Sequence, residues 1–173
     1  MTASEAAPRH TSDPRRLAAA ELEIRSLGAD DLQRVVAIDA LRTGSRKPDY
    51  WARVFGETLD PDSKVVRVGL AAERAGVLVG YVTGEIRAFE FGSEACGWIL
   101  TIGVDPACAR EKVATSLLAA ACRRFQEAGV AKVRTMVQRA DVPVLSFFRA
   151  NGFVGGSFVQ LELDLPPVRR EST

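Results

Sequence analysis

Ile102-Gly103-Val104-Asp105-Pro106 closes an apolar, β-rich run on a proline, and a helical period carried by Val113, Leu117, Ala121 and Phe125 follows within a few residues. A strand that feeds a loop and then a helix leaves the first N–H groups of the helix without carbonyl partners, and the aligned peptide dipoles add positive potential there. Such a unit can dock a phosphate. It also serves as plain scaffold in many folds, and the residues themselves leave both readings open. Other chemistry is poorly provided for. Cys96, Cys108 and Cys122 are odd in number and lack metal-ligand spacing, and the one histidine, His10, lies in a polar stretch. Zinc, disulfide staples and histidine catalysis are therefore not expected, and no metal site is assigned. The cysteines read as small core or surface residues of a reducing compartment, with Cys108 the exception to watch.

Around this unit the elements follow from periodicity and punctuation. Leu22-Glu23-Ile24-Arg25 alternates like a strand, and Asp30-Asp31 opens a helix whose Leu32, Val35, Val36 and Ile38 share one side. After a Thr43-Gly44-Ser45 loop, Pro48 starts a second helix carrying Tyr50, Trp51, Val54 and Phe55. Val65 to Ala72 and Val77 to Ile86 are β-rich and flank Glu73-Arg74-Ala75-Gly76, which implies an antiparallel hairpin; Cys96 to Val104 is a third run. Gly129 stops the long helix. Lys132 to Val137 reads as a strand, Asp141 and Pro143 open a short helix that Asn151-Gly152 ends, and Phe158 to Leu165 alternates as a last strand. The order is β-α-α-β-β-β-α-β-α-β without internal repeat. A helix crossing from Cys96–Val104 to Lys132–Val137 demands a parallel pair in an otherwise antiparallel sheet.

With 173 residues, 47% hydrophobic and 26% charged, the chain can bury one core of its own and has no excess for a second domain of usual size. That domain is assigned to residues 21–165, between a flexible tail over 1–20 and a second tail over 166–173. A formal net charge of +1 supplies no field to hold nucleic acid or anionic lipid. No apolar run approaches the ~20 residues that span a bilayer, and the N-terminus lacks the charged-then-apolar layout of a secretory signal. Neither nucleic acid nor membrane is expected as a partner, and the cytoplasm is the expected location.

The order of elements and two local words resemble the GNAT N-acetyltransferase family, whose coenzyme A motif runs roughly V-x-P-x-x-Q/R-x-x-G-x-G/A across a strand, loop and helix. Val104 and Pro106 match it; in register, Ala109 stands for Gln or Arg, Lys112 for the first Gly, and Ala114 for Gly or Ala. The family's second word, an Asn-led short helix ending in F-Y-x-x-x-G-F, is met by Phe147-Phe148-Arg149-Ala150-Asn151-Gly152-Phe153, with Asp141 near the Asn and Phe148 replacing the Tyr. The resemblance runs from about Leu22 to Leu165. It implies an α+β domain of the GNAT fold: a central mixed, mostly antiparallel sheet of six to seven strands with one splayed parallel pair, flanked by four helices.

The resemblance also implies an activity and its residues. In this family the parallel strands splay after a bulge, and the pantetheine arm of acetyl-CoA pairs in the gap like an added strand. Gly103 is the bulge residue expected from this, with the backbone of Ile102 and Val104 holding pantetheine. The amides of Ala109, Arg110, Glu111, Lys112, Val113, Ala114 and Thr115 are expected to cradle the pyrophosphate, and Asp141 and Phe148 to border the cofactor. Lys112 either crowds the phosphates or adds a cation beside them, and Arg110 can neutralise phosphate charge.

Acetyl transfer to an amine needs a neutral amine, a polarised thioester carbonyl and a proton for the departing thiolate. Glu85 is the first candidate base and Glu94 the second. Phe148 occupies the position of the family's proton donor without a hydroxyl to donate, so Tyr81 is its candidate substitute. The acceptor, a primary amine on a small molecule, peptide or protein, would meet residues between Leu41 and Phe55 and between Arg87 and Ser93. Trp51, Phe89, Phe91 and Trp98 either line that cleft or pack in the core. A homodimer is compatible with the sequence. Two functions follow: an acyl-CoA-dependent N-acetyltransferase or, on the strength of Ala109, Lys112 and Phe148, a degenerate GNAT domain acting as a non-catalytic binding or regulatory module.

Overall fold

The alternation and helical periods are realised as one sheet with helices on both faces. A computed structural model describes residues 20–88 and 92–166. The expected tails over 1–20 and 166–173 fall almost wholly outside the described residues, as do Phe89 and Phe91. In chain order the elements are β1 (Glu23–Ser26), α1 (Leu32–Thr43), α2 (Pro48–Thr58), β2 (Arg67–Arg74), β3 (Val77–Arg87), β4 (Cys96–Val104), α3 (Val113–Glu127), β5 (Val133–Arg134) and α4 (Val142–Ala150). Single 3-10 turns precede α1 at Ala29–Asp31 and follow β4 at Pro106–Cys108. The chain divides into two units, one ending at Met136 and one beginning at Val137.

In the first unit five strands lie in the order β1-β2-β3-β4-β5. Every pairing is antiparallel except β4 with β5, which α3 crosses over to make parallel. The mixed sheet, the single parallel pair and the four helices expected of the GNAT fold are all present among the described residues. The strand count is corrected from six or seven to five. Phe158 to Leu165 forms no strand, and Val159, Leu161, Leu163 and Leu165 are 74–89% exposed. Alternation specifies a strand only where a neighbouring edge supplies hydrogen bonds and a face to bury. β5 is likewise shorter than expected, two residues in place of Lys132 to Val137.

One face of the sheet carries α1 and α2, where Val35, Val36, Ile38, Trp51 and Phe55 bury against Ala71, Leu78 and Tyr81. The other carries α3, whose Val113, Leu117, Ala121 and Phe125 are all fully buried, as a four-residue period requires. Close approach of α3 depends on absent side chains: a Cβ on Gly84 or Gly97 would lie 2.9 or 2.6 Å from the Phe125 ring.

In the second unit, Asp141 caps α4 by accepting from Val144 N at 3.2 Å, with Pro143 in the first turn. Phe148 is buried, edge-on to Phe147 and Phe153 at 5.1 and 5.0 Å between ring centroids. Gly152, at φ +87°, turns the chain after the helix.

Candidate functional site

β4 is paired on both edges at its start and on one edge at its end. Gly97 N donates to Lys132 O at 2.9 Å, and Thr135 Oγ1 donates to Ile99 O at 3.1 Å, so residues 97 and 99 face the β5 side. Thr83 then pairs with Thr101 but Gly84 with Ile99, leaving Leu100 as the extra residue of a bulge. The bulge was expected at Gly103; it lies three residues earlier. Beyond it the direction of the backbone is set by Asp105 N, which donates to Val79 O at 2.8 Å. Alternation along the antiparallel ladder turns Gly103 and Thr101 toward β3 as well. Ile102 and Val104 therefore present N–H and C=O on the outer edge, where β5 has already ended. The guanidinium of Arg42, in the last turn of α1, reaches this edge and donates to Ile102 O.

The loop from β4 to α3 is shaped by charge. Asp105 caps the 3-10 turn, accepting from Ala107 N at 2.9 Å, and Arg34 of α1 holds the same carboxylate at 2.5 Å. Arg110 and Lys112 both adopt left-handed backbone, φ +67° and +60°, which non-glycine residues rarely do. Glu111 between them accepts a hydrogen bond from Arg74, the last residue of β2. The first amide of α3 bonded back along the chain belongs to Ser116, which donates to Lys112 O at 2.9 Å. The N–H groups of Val113, Ala114 and Thr115 thus precede the helical ladder, as the first turn of a helix dictates.

Gly103 matters for packing. A Cβ there would meet Tyr81 Cε1 and Cζ at 2.5 Å and Oη at 2.7 Å, so the Tyr81 ring lies directly over this glycine. Trp51 braces the ring edge-on at 5.1 Å. Burial holds the Tyr81 hydroxyl above its ordinary pKa, the Asp39 carboxylate reinforces this, and Arg42 opposes it; the group stays protonated. Asp39 itself is buried on α1, accepting from Trp51 Nε1 at 3.0 Å and Lys47 Nζ at 2.9 Å. Strand alternation puts Thr83 and Glu85 on the Tyr81 face, with the Thr83 and Thr101 hydroxyls 2.6 Å apart. Glu85 is engaged by two arginines, Arg87 at 2.8 Å and Arg67 at 3.6 Å.

The model of the acetyltransferase (GNAT) family matches residues 32–153, more than two thirds of the chain. The chain belongs to the GNAT acetyltransferase family. Among solved structures it is similar to the aminoglycoside N-acetyltransferase AAC(6')-Iy bound to a CoA-containing bisubstrate analogue, with TM-score 0.73, 19% identity, and 85% of this chain and 100% of that one covered. A transcriptional regulator from Bacillus halodurans C-125 aligns with TM-score 0.70 and 17% identity over 84% of this chain and 100% of its own. A ribosomal-protein-alanine N-acetyltransferase from Brucella melitensis biovar Abortus 2308 aligns with TM-score 0.66 and 16% identity over 84% and 100%. At these identities the likeness establishes the fold. No curated protein matches the sequence significantly.

Within this GNAT domain the first unit brings together Ile102, Gly103, Val104, Tyr81 and the loop carrying Ala109 to Thr115. Glu85 shares a sheet face with Tyr81 but stands four residues further along β3. Asp141 and Phe148 belong to the second unit, where they cap and pack α4. Cys108 is buried, and burial, then Glu111 and Asp105, push its thiol pKa up, which disfavours the thiolate. Sequence reasoning passed over four charged residues that bond to or beside these elements: Arg34, Arg42, Arg74 and Asp39. Only Asp39 leaves a trace, a carboxylate set within the apolar side of its helix.

Proposed function

We propose that this GNAT domain transfers an acetyl group from acetyl-CoA to a primary amine by direct attack in a ternary complex. The observation that carries this is the outward-facing backbone of Ile102 and Val104 beside the helix-initiating amides of α3. The backbone of residues 102 and 104 can pair with an extended amide chain, and the amides of residues 110–115, with the Arg110 and Lys112 side chains, can hold a diphosphate. Acetyl-CoA supplies the acetyl group as a thioester. The Tyr81 hydroxyl, which lies over Gly103 and stays protonated, can give a proton to a departing thiolate, although burial makes it a weaker acid than a free tyrosine. Glu85 is suited to take the acceptor's proton if one of its arginines lets go. We place the reaction in the cytoplasm.

Calorimetry with acetyl-CoA is the direct test. Binding near the micromolar range supports the enzyme, whereas no detectable heat at millimolar ligand would remove it. The ion pairs of Glu85 favour one second reading, a non-catalytic domain that binds acyl-CoA without turning it over. Phe148→Tyr separates the two by restoring the family's hydroxyl at its motif position. An enzyme should gain kcat with little change in KM for acetyl-CoA, because a proton donor acts in the transition state and hardly on the bound thioester. Tight binding with no turnover in either protein would establish the binding domain.

A further inference from the structure

The loop between β4 and α3 has the wrong residues for its conformation. Arg110 and Lys112 are left-handed without being glycine, and Glu111 between them sets a carboxylate where, on the reading proposed above, a diphosphate is to sit. Within Asp105 to Lys112 two acidic and two basic side chains cancel. Both acids are nevertheless taken up by arginines from distant elements, Asp105 by Arg34 and Glu111 by Arg74.

Arg74 is the less ordinary of the two. It is 8% exposed, and Glu111 is its only side-chain partner among the described residues, while its Nε is buried without one. Alternation from Ala71, which packs beneath α1 and α2, puts Arg74 on the α3 face of the sheet, below the start of that helix. A buried guanidinium is costly unless something uses its charge. Here it grips the middle of a strained turn and cancels the one loop carboxylate placed between the two loop cations.

We propose that Arg74 and Glu111 form a positioning pair for the diphosphate of acyl-CoA, a proposal that rests on the acyl-CoA reading of this site. The pair holds Arg110 and Lys112 in left-handed backbone, so that the amides ahead of Ser116 converge. It also neutralises Glu111, which leaves Arg110 and Lys112 as the charges the ligand meets. Neither residue touches the reacting atoms. Together they replace what glycines would supply: the turn by an ion pair, and the absence of repulsion by cancellation.

The test is a double-mutant cycle with coenzyme A as the calorimetric probe and amide hydrogen exchange as the second readout. Arg74→Met should weaken coenzyme A binding at least tenfold, because it both releases the turn and bares the Glu111 carboxylate. R74M/E111Q should bind more tightly than R74M, since the bared charge is gone, and Arg74→Lys should retain part of the affinity. The amides of residues 110–115 should exchange faster in R74M and in E111Q, while those of β3 do not. A structural role alone predicts no rescue by the second substitution, so R74M/E111Q binding no better than R74M overturns the proposal. If R74M fails to fold, E111Q still decides, because Glu111 is partly exposed; unchanged exchange at 110–115 would then overturn it. Failure of the unaltered protein to bind coenzyme A would overturn the functional reading and the ligand role of the pair. The exchange data would still say whether the pair holds the turn.

Discussion

At its C-terminal end α3 meets the sheet through Phe125, fully buried against backbone that only Gly84 and Gly97 leave open. At its N-terminal end the same helix is joined to neighbouring elements through Arg34–Asp105 and Arg74–Glu111, around a loop with two left-handed non-glycine residues. The first joint is made by shape alone; the second adds charge to the packing of Val113 and Leu117 over Gly80. A shape-made joint tolerates no added volume and is indifferent to salt. A charge-made joint tolerates exchange of side chains but answers to any new charge, which is the property wanted where an anionic ligand enters.

Gly97→Val gives the largest expected effect. Its Cβ would lie within 2.6 to 3.0 Å of Phe125 ring atoms, and that ring has no exposed surface into which to retreat. Overpacking of this kind costs about 1–3 kcal/mol, read as a lower urea midpoint at unchanged slope. An unchanged midpoint would break the comparison at its shape-made end. Gly103→Ala comes next. Its Cβ would meet the Tyr81 ring at 2.5 Å, and Trp51 on the ring's flank limits escape, so we expect about 1 kcal/mol lost. Acetyl-CoA should also bind several-fold more weakly as β4 is pushed aside. Weaker binding without loss of stability would mean that the methyl meets the ligand and not the tyrosine.

Lys112→Gly tests the charge-made end. Left-handed backbone at a non-glycine residue costs ~1–2 kcal/mol, and glycine returns ~0.4–1 kcal/mol of that through the freer unfolded chain. A small net gain in stability is expected, together with weaker acetyl-CoA binding, because the ammonium that meets the diphosphate is gone; a tenfold loss of affinity is about 1.4 kcal/mol. Tighter binding would instead mean that the lysine crowds the phosphates and that the turn, not the charge, limits the site.

The joints differ in how far they could be read beforehand. Val113, Leu117, Ala121 and Phe125 repeat every four residues, and their burial follows from that period alone. The hairpin and the caps at Asp141 and Pro143 are equally local and formed, although the hairpin's expected Glu73 to Gly76 connection tightens to Ala75-Gly76, with Glu73 and Arg74 in β2. The charged joint is not local. Arg34 and Asp105 are 71 positions apart, and Arg74 and Glu111 are 37 apart, with nothing in their neighbourhoods to pair them. Of the two arginines on Glu85, Arg67 lies across the sheet on β2 and is invisible in a one-dimensional pattern, whereas Arg87 stands two residues along β3 on the same face. Leu100 makes the bulge without the glycine that drew attention to residue 103, and Phe158 to Leu165 shows alternation without a strand.

Arg42 offers the smallest and most directional effect. Its guanidinium donates to Ile102 O from the open edge of β4, the carbonyl that an extended amide ligand would need as an acceptor. Binding must then exchange one hydrogen bond for another rather than add one. Because the Arg42 bond is exposed, its net contribution to folding should be near the low end of the usual ~0.5–1.5 kcal/mol, and Arg42→Ala should leave the unfolding midpoint almost unmoved. Coenzyme A affinity should rise by at most severalfold, since a neutral exposed carbonyl is released and no charge is left bare. The long-range attraction between Arg42 and the ligand's phosphates works against this, but it weakens as salt is raised, so the gain should grow between low and physiological ionic strength. Calorimetry at two salt concentrations separates the contributions. Weaker binding at both would mean that the guanidinium moves onto the ligand, making Arg42 part of the binding site and the bond to Ile102 O its resting place.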